Sequence, residues 1–167
     1  MQVSILIAVM FLLPGGLITL PDRDFDPTEV AISWQVLRAA GYRVCFATAN
    51  GRAALGDPLM LAGEGLDPWG CLPGLRRFKL LGLLLRARRD ARQAYSQMLD
   101  DDAFRQPLSY AQLRLDDFDG LLLPGGHWAR GMRAYLEDPS LQAFVGAFLA
   151  SAKPVAAICH GVLLAAR

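Results

Sequence analysis

The run Lys153-Pro154-Val155-Ala156-Ala157-Ile158-Cys159-His160-Gly161-Val162-Leu163-Leu164-Ala165 constrains this chain more than any other stretch. A proline opens a short apolar run and a polar pair closes it, which predicts a parallel strand over Val155–Ile158 buried on both faces. Gly161 and the helix formers after it predict a sharp turn into a helix over Val162–Ala166. Cys159 then stands on a strand-to-helix turn, at the carboxyl end of a strand. Such a turn lifts a side chain clear of the backbone and aims it at a helix N-terminus. The N–H groups and the dipole there favour a thiolate over a thiol. His160 is placed to hold or shuttle the proton. The competing reading is a buried cysteine that acts as a small hydrophobe.

A chain of 167 residues is long enough for one domain with a real core. A formal net charge of +1 gives no global attraction to nucleic acid or acidic partners. Cys45, Cys71 and Cys159 form no CxxC and no metal-ligand spacing. So sparse and odd a set argues against a disulfide scaffold and for a reducing, cytoplasmic setting. Val3–Leu13 is almost wholly apolar but shorter than the ~20 residues a membrane span needs. No Lys or Arg precedes it and no small-residue cleavage site follows, so it reads as a first strand or an extension ahead of one rather than an export signal.

Leu17–Leu20 reads as a buried strand, with Val3–Met10 as its rival. A polar loop, Pro21 to Glu29, leads into a helix with Asp26 as N-cap, Pro27 at the first position and Glu29 at the third, a capping-box arrangement. Val30, Ile32, Trp34, Val36, Leu37 and Ala40 continue the helix to Gly41, and Val44–Ala47 is the next strand. This is a βαβ unit with a right-handed crossover. Residues 52–113 break the rhythm and read as an inserted cap within a single domain spanning 1–167. Seven of the 17 basic residues cluster between Arg76 and Arg92. They are predicted to form the solvated face of a helix within Leu75–Leu99, with Leu80, Leu81, Leu83, Leu84 and Leu85 inward. Leu121–Leu123 is a further strand, with Pro124-Gly125-Gly126 a loop at its carboxyl end. Ser140–Ala150 is an amphipathic helix that presents Leu141, Phe144, Val145 and Phe148 to the core. The plan is α/β with a mainly parallel sheet and its chemistry at the strands' carboxyl ends.

Three stretches, Asp26-Pro27-Thr28-Glu29, Leu123-Pro124-Gly125-Gly126-His127 and Ala157-Ile158-Cys159-His160-Gly161, resemble in this order the ThiJ/PfpI superfamily. The resemblance implies a three-layer, flavodoxin-like sandwich of the class I glutamine amidotransferase type. Its nearest branch holds chaperone-like, glyoxalase and deglycase members. It implies that Cys159 is a nucleophile, Glu29 the acidic residue that approaches the sulfur, and His160 an assisting base. Gly125, Gly126, His127 and Gly161 are implied to line the substrate and oxyanion side.

The function implied is a cofactor-independent cysteine enzyme acting on small aldehyde or acyl substrates, with no metal, nucleic acid or membrane. The rivals are a peptidase or amidase, a redox-sensing or chaperone-like protein with Cys159 oxidised to the sulfinate, and an inactive fragment. Family members continue beyond the elbow helix, and glutamine amidotransferases take a histidine and a glutamate from that later region. The resemblance therefore implies a sheet short of its last strands, an exposed edge, and completion by a second copy as one partner arrangement.

Overall fold

A computed structural model describes residues 14–63, 67–69, 72, 74, 80–127 and 129–166. Val3–Met10, the rival first strand, lies outside them, as does Cys71. The first strand is β1 (Gly15–Thr19), buried along its whole length, as an apolar run between two other strands should be. It pairs in parallel with β3 (Arg43–Thr48) on one side and β6 (Gly120–Leu123) on the other. The sheet is completed by β5 (Leu108–Ser109) beside β3 and β7 (Val155–Ala157) beside β6, all parallel, in the order β5-β3-β1-β6-β7.

Successive residues of β1 serve opposite faces. Leu17 points into a cluster with Leu121, Leu123, Tyr135, Phe144, Val145 and Phe148. Ile18 points into another with Val30, Trp34, Phe46, Tyr95, Met98 and Phe104. Helices α1 (Pro27–Ala39) and α4 (Arg89–Met98) cover the Ile18 face. Helices α6 (Ala129–Glu137) and α7 (Pro139–Ala150) cover the Leu17 face. The result is the α/β architecture expected, with helices on both faces of a parallel sheet.

The caps are those the residues predict. Asp26 caps α1, and Gly41 ends its C-terminal turn at φ 85°. Asp138 caps α7, its Oδ1 accepting the Leu141 N–H at 2.9 Å. Asp138→Ala is expected to lower stability by about 1 kcal/mol, read as a lower urea midpoint with an unchanged m-value.

Four expectations are corrected. First, Val155–Ile158 is not buried on both faces: β7 pairs with β6 alone, Ala156 is exposed, and Val155 and Ala157 are half-buried. Second, Arg23–Phe25, expected as loop, is a strand, β2, paired in parallel with β4 (Leu55–Gly56). Third, the basic segment is not one helix. It breaks at Arg86-Ala87-Arg88 between α3 (Leu81–Leu85) and α4. Leu80, Leu81 and Leu83 are exposed, and the inward face is Ala87, Ala91, Ala94, Tyr95 and Met98. The physical reason is a backbone contact. A β-carbon on Gly82 would stand 2.0 Å from the Gly63 carbonyl oxygen, so α3 turns its glycine inward and Leu81 and Leu83 out. Asp67 fixes that orientation by accepting the N–H groups of Leu80, Leu81 and Gly82.

Fourth, residues 52–113 are not wholly a cap. The short helix α2 (Pro58–Ala62) and α3 pack on each other. By contrast α4, α5 (Asp102–Arg105) and β5 join the core and the sheet. Helix α6 was not foreseen, yet it supplies Met132, Tyr135 and Leu136 to the core. An apolar groove of about 480 Å³ runs between α1 and the β6–β7 face, lined by Ile32, Val36, Leu122, Val155 and Ile158 among others. Among the described residues no helix is long and apolar enough to cross a membrane.

Candidate active site

Two loops meet at the carboxyl end of the sheet. Asp26 Oδ1 accepts the N–H groups of Thr28 at 2.7 Å and Glu29 at 3.3 Å, which is half of a capping box. The other half is absent. The Asp26 N–H donates to the Gly125 carbonyl at 3.0 Å, and Glu29 Oε2 accepts the Gly125 N–H at 2.9 Å. This reciprocal pair of bonds docks the first turn of α1 onto the loop after β6. Glu29 is thereby drawn away from its own helix terminus and toward the elbow.

The elbow follows β7 as a single tight turn over Cys159–Gly161 that runs into α8 (Val162–Ala165). Cys159 is exposed and holds φ at 53°, the left-handed region that a residue with a β-carbon enters at a cost. The Ile158 N–H donates to Leu123 O at 2.9 Å, so β6 positions the turn. A β-carbon on Gly161 would lie 2.1 Å from Leu123 O, and one on Gly125 would lie 2.6 Å from the His160 nitrogen. These glycines permit close backbone approach. The Gly161 N–H is itself committed to Ile158 O at 2.9 Å, and the Gly125 N–H to Glu29. Neither is free to face an oxyanion.

Burial raises the Glu29 pKa above the usual carboxylate range. The Gly125 hydrogen bond works against that, Asp26 adds to it, and His127 and the hydrogen bond with the Cys159 side chain oppose it. A carboxyl whose pKa is raised this way beside a thiol holds its proton better than an ordinary glutamate. His160 Nδ1 lies 2.7 Å from Gly126 O and 3.5 Å from Cys159 Sγ. A carbonyl oxygen only accepts, so the hydrogen-bond network assigns the proton to Nδ1. The nitrogen that faces the sulfur is a donor, and the basic nitrogen is Nε2.

The family model for ThiJ/PfpI-like proteins matches residues 20–167, which contain all three meeting segments. The chain belongs to the ThiJ/PfpI family. No curated protein matches it in sequence. Its fold is similar to a ThiJ/PfpI domain protein from Brachyspira murdochii, with TM-score 0.58 and 18% identity over 91% of this chain and 62% of that one. It is similar to Drosophila melanogaster DJ-1beta, with TM-score 0.56 and 21% identity over 92% of this chain and 59% of that one. It is similar also to glyoxalase III from Candida albicans, with TM-score 0.51 and 16% identity over 90% of this chain and 59% of that one. The chain thus spans about three-fifths of the length of these relatives.

In this ThiJ/PfpI chain the structure brings Glu29, Gly125, Gly126, Cys159 and His160 together at one end of the sheet. His127 is half-exposed, its Nδ1 3.5 Å from Asp26 Oδ2, on the Glu29 side of the loop. Two acids were missed as members of the site. Asp57, buried, caps α2 by accepting the Leu59 N–H at 2.8 Å, and burial raises its pKa, with Asp24 adding to the rise and His127 opposing it. Asp24 sits at φ 67° on β2, its carbonyl pressed where a β-carbon on Gly126 would be 2.2 Å away. Asp57-Pro58 repeats the Asp26-Pro27 pattern, a signal that could have marked it as a second cap at the same sheet end. Among the described residues no group of three or more His, Cys, Asp or Glu side chains is placed to hold a metal ion.

Proposed function

We propose that this chain is a cofactor-independent cysteine enzyme that acts on small reactive aldehydes, of the glyoxalase or deglycase kind. The observation that carries the reading is the half-buried Glu29 carboxyl, which accepts the Gly125 N–H and stands beside the Cys159 side chain. The Cys159 thiolate attacks the aldehyde carbon of an α-oxoaldehyde, and Glu29 gives its proton to the new alkoxide. The Glu29 carboxylate then takes the hydrogen from that carbon and returns it to the neighbouring carbonyl carbon, through an enediol. The product is a 2-hydroxyacyl thioester. Water cleaves it, the sulfur leaves as the thiolate, and the acid's proton passes to the Glu29 carboxylate, releasing the hydroxy acid as its anion. Oxidation at one carbon balances reduction at the next, so no external redox partner is consumed. The N–H groups of Gly126 and His160 are the donors this reading assigns to the oxyanion. His160 Nδ1–H is directed at Gly126 O, so the nitrogen that faces the sulfur is not its base. Amide hydrolysis needs a base at that nitrogen, and this ranks the peptidase reading second.

The test is conversion of methylglyoxal to lactate together with pH-dependent alkylation of Cys159. Wild type is expected to turn over methylglyoxal, and Glu29→Gln to lose about 10²-fold or more in kcat while Cys159 remains open to alkylation. Absence of turnover in a wild type whose Cys159 alkylates fast would remove the aldehyde reading. The raised Glu29 pKa also carries a stability sign. The folded state binds this proton more tightly than the unfolded chain, so the group costs stability as pH rises through its titration and costs nothing below it. Glu29→Gln is therefore expected to gain stability relative to wild type at neutral pH, a gain that disappears on acidification.

A further inference from the structure

Asp26 has three engagements at once. Its N–H holds Gly125 O, its Oδ1 caps α1, and its Oδ2 lies 3.5 Å from His127 Nδ1. It is almost fully buried, whereas the His127 side chain is 55% exposed and can exchange protons with water. Both lie near the carboxyl of Glu29: Asp26 caps the helical turn that carries it, and His127 ends the Gly125-Gly126 loop on which it is docked. We infer that Asp26 and His127 form a charge couple that sets whether Glu29 holds its proton, so that both are positioning residues for the proton carrier. The inference rests on the proposed role of Glu29.

The physics is of opposite signs. A buried carboxylate near a second carboxyl disfavours the second charge, and an imidazolium favours it. Asp26 therefore keeps the Glu29 proton on, and protonation of His127 loosens it. The other titratable groups around them are Cys159 and His160 on the elbow, Asp24 on β2 and Asp57 at the start of α2.

The chain contains three glutamates, Glu29, Glu64 and Glu137, so selective 13C labelling of glutamate carboxyls gives three signals to follow from pH 4 to 8. Glu29→Gln assigns the one that matters. Asp26→Asn keeps the capping oxygen and removes the charge, and Asp26→Ser does the same with a different cap, which guards against one variant failing to fold. Both are expected to move the Glu29 midpoint down by about half a unit or more, and His127→Gln to move it up by a similar amount. A Glu29 midpoint unmoved by the Asp26 variants, or moved the same way by Asp26 and His127 variants, overturns the couple. Failure of the enzymatic reading looks different: the midpoints shift as stated while methylglyoxal is left unconverted.

Discussion

Cys159→Gly is expected to lose methylglyoxal turnover by on the order of 10³-fold or more and yet to be more stable than Cys159→Ala by about 1 kcal/mol. The loss of turnover follows because no described cysteine can substitute as nucleophile. Cys45 sits half-buried on β3 against the core, and burial pushes its thiol pKa up, so little of it is thiolate at neutral pH. The stability difference follows from the backbone. At φ 53° any β-carbon crowds the following carbonyl, and alanine keeps that β-carbon while glycine removes it. The greater freedom of glycine in the unfolded chain takes back part of the gain. Equilibrium urea unfolding of the two variants measures the remainder. An alanine variant as stable as the glycine one would mean that the turn relaxes when the sulfur leaves. The strain would then belong to the thiol's contacts with Glu29 and His160 rather than to the turn. The same measurement speaks to function, because a non-glycine residue held in the left-handed region persists only where its surroundings over-determine it. Here the determinants are the Ile158 bond to Leu123 O and the packing of Gly125 against the elbow.

What the sequence revealed was local chemistry with one meaning. Asp26-Pro27 could only start a helix and Gly41 could only end it. The Ser140–Ala150 face had a single core side. The elbow was visible because cysteine, histidine and glycine follow an apolar run with no room for a loop. Long-range pairing was not visible. Val155–Ala157 reads the same whether one neighbour or two lie beside it, and burial depends on the neighbour. Arg23–Phe25 looks polar because its partner, Leu55–Gly56, is distant in sequence. Five leucines between Leu80 and Leu85 outweighed a glycine among them, though Gly82 dictates which face turns inward. The site shows the same division. Glu29 as third residue of a capping box was legible, but that its carboxyl would leave the box for Gly125 depends on β6 delivering that loop to the helix start. The N–H groups of Gly125 and Gly161, expected on the oxyanion side, are committed to Glu29 and to Ile158 O, bonds that likewise form only in the folded chain.

Gly161→Ala is the variant that tests this reading of the elbow most directly. Gly161 has φ −59° and ψ −25°, which any residue adopts, so conformational freedom is not what the position requires. It requires space. An added β-carbon would meet Leu123 O at 2.1 Å and Pro124 O at 2.7 Å, both backbone atoms of β6 and its loop that no rotamer change can move. Relief needs α8 to shift off β6, and that shift pulls the turn carrying Cys159 away from the loop on which Glu29 is docked. Gly161→Ala is expected to lose about 3 kcal/mol of stability and to slow the alkylation of Cys159. Gly146→Ala is the matched control. Gly146 is exposed within α7, and a β-carbon there meets nothing within 4 Å. That substitution is expected to be neutral or to stabilise by up to about 1 kcal/mol, since alanine is the better helix former. If both variants lost stability equally, glycine content rather than the contact with β6 would be responsible. If Gly161→Ala alone lost stability but kept a fast-reacting Cys159, the thiol would owe its reactivity to Glu29 and His160 without needing the elbow packed against the sheet.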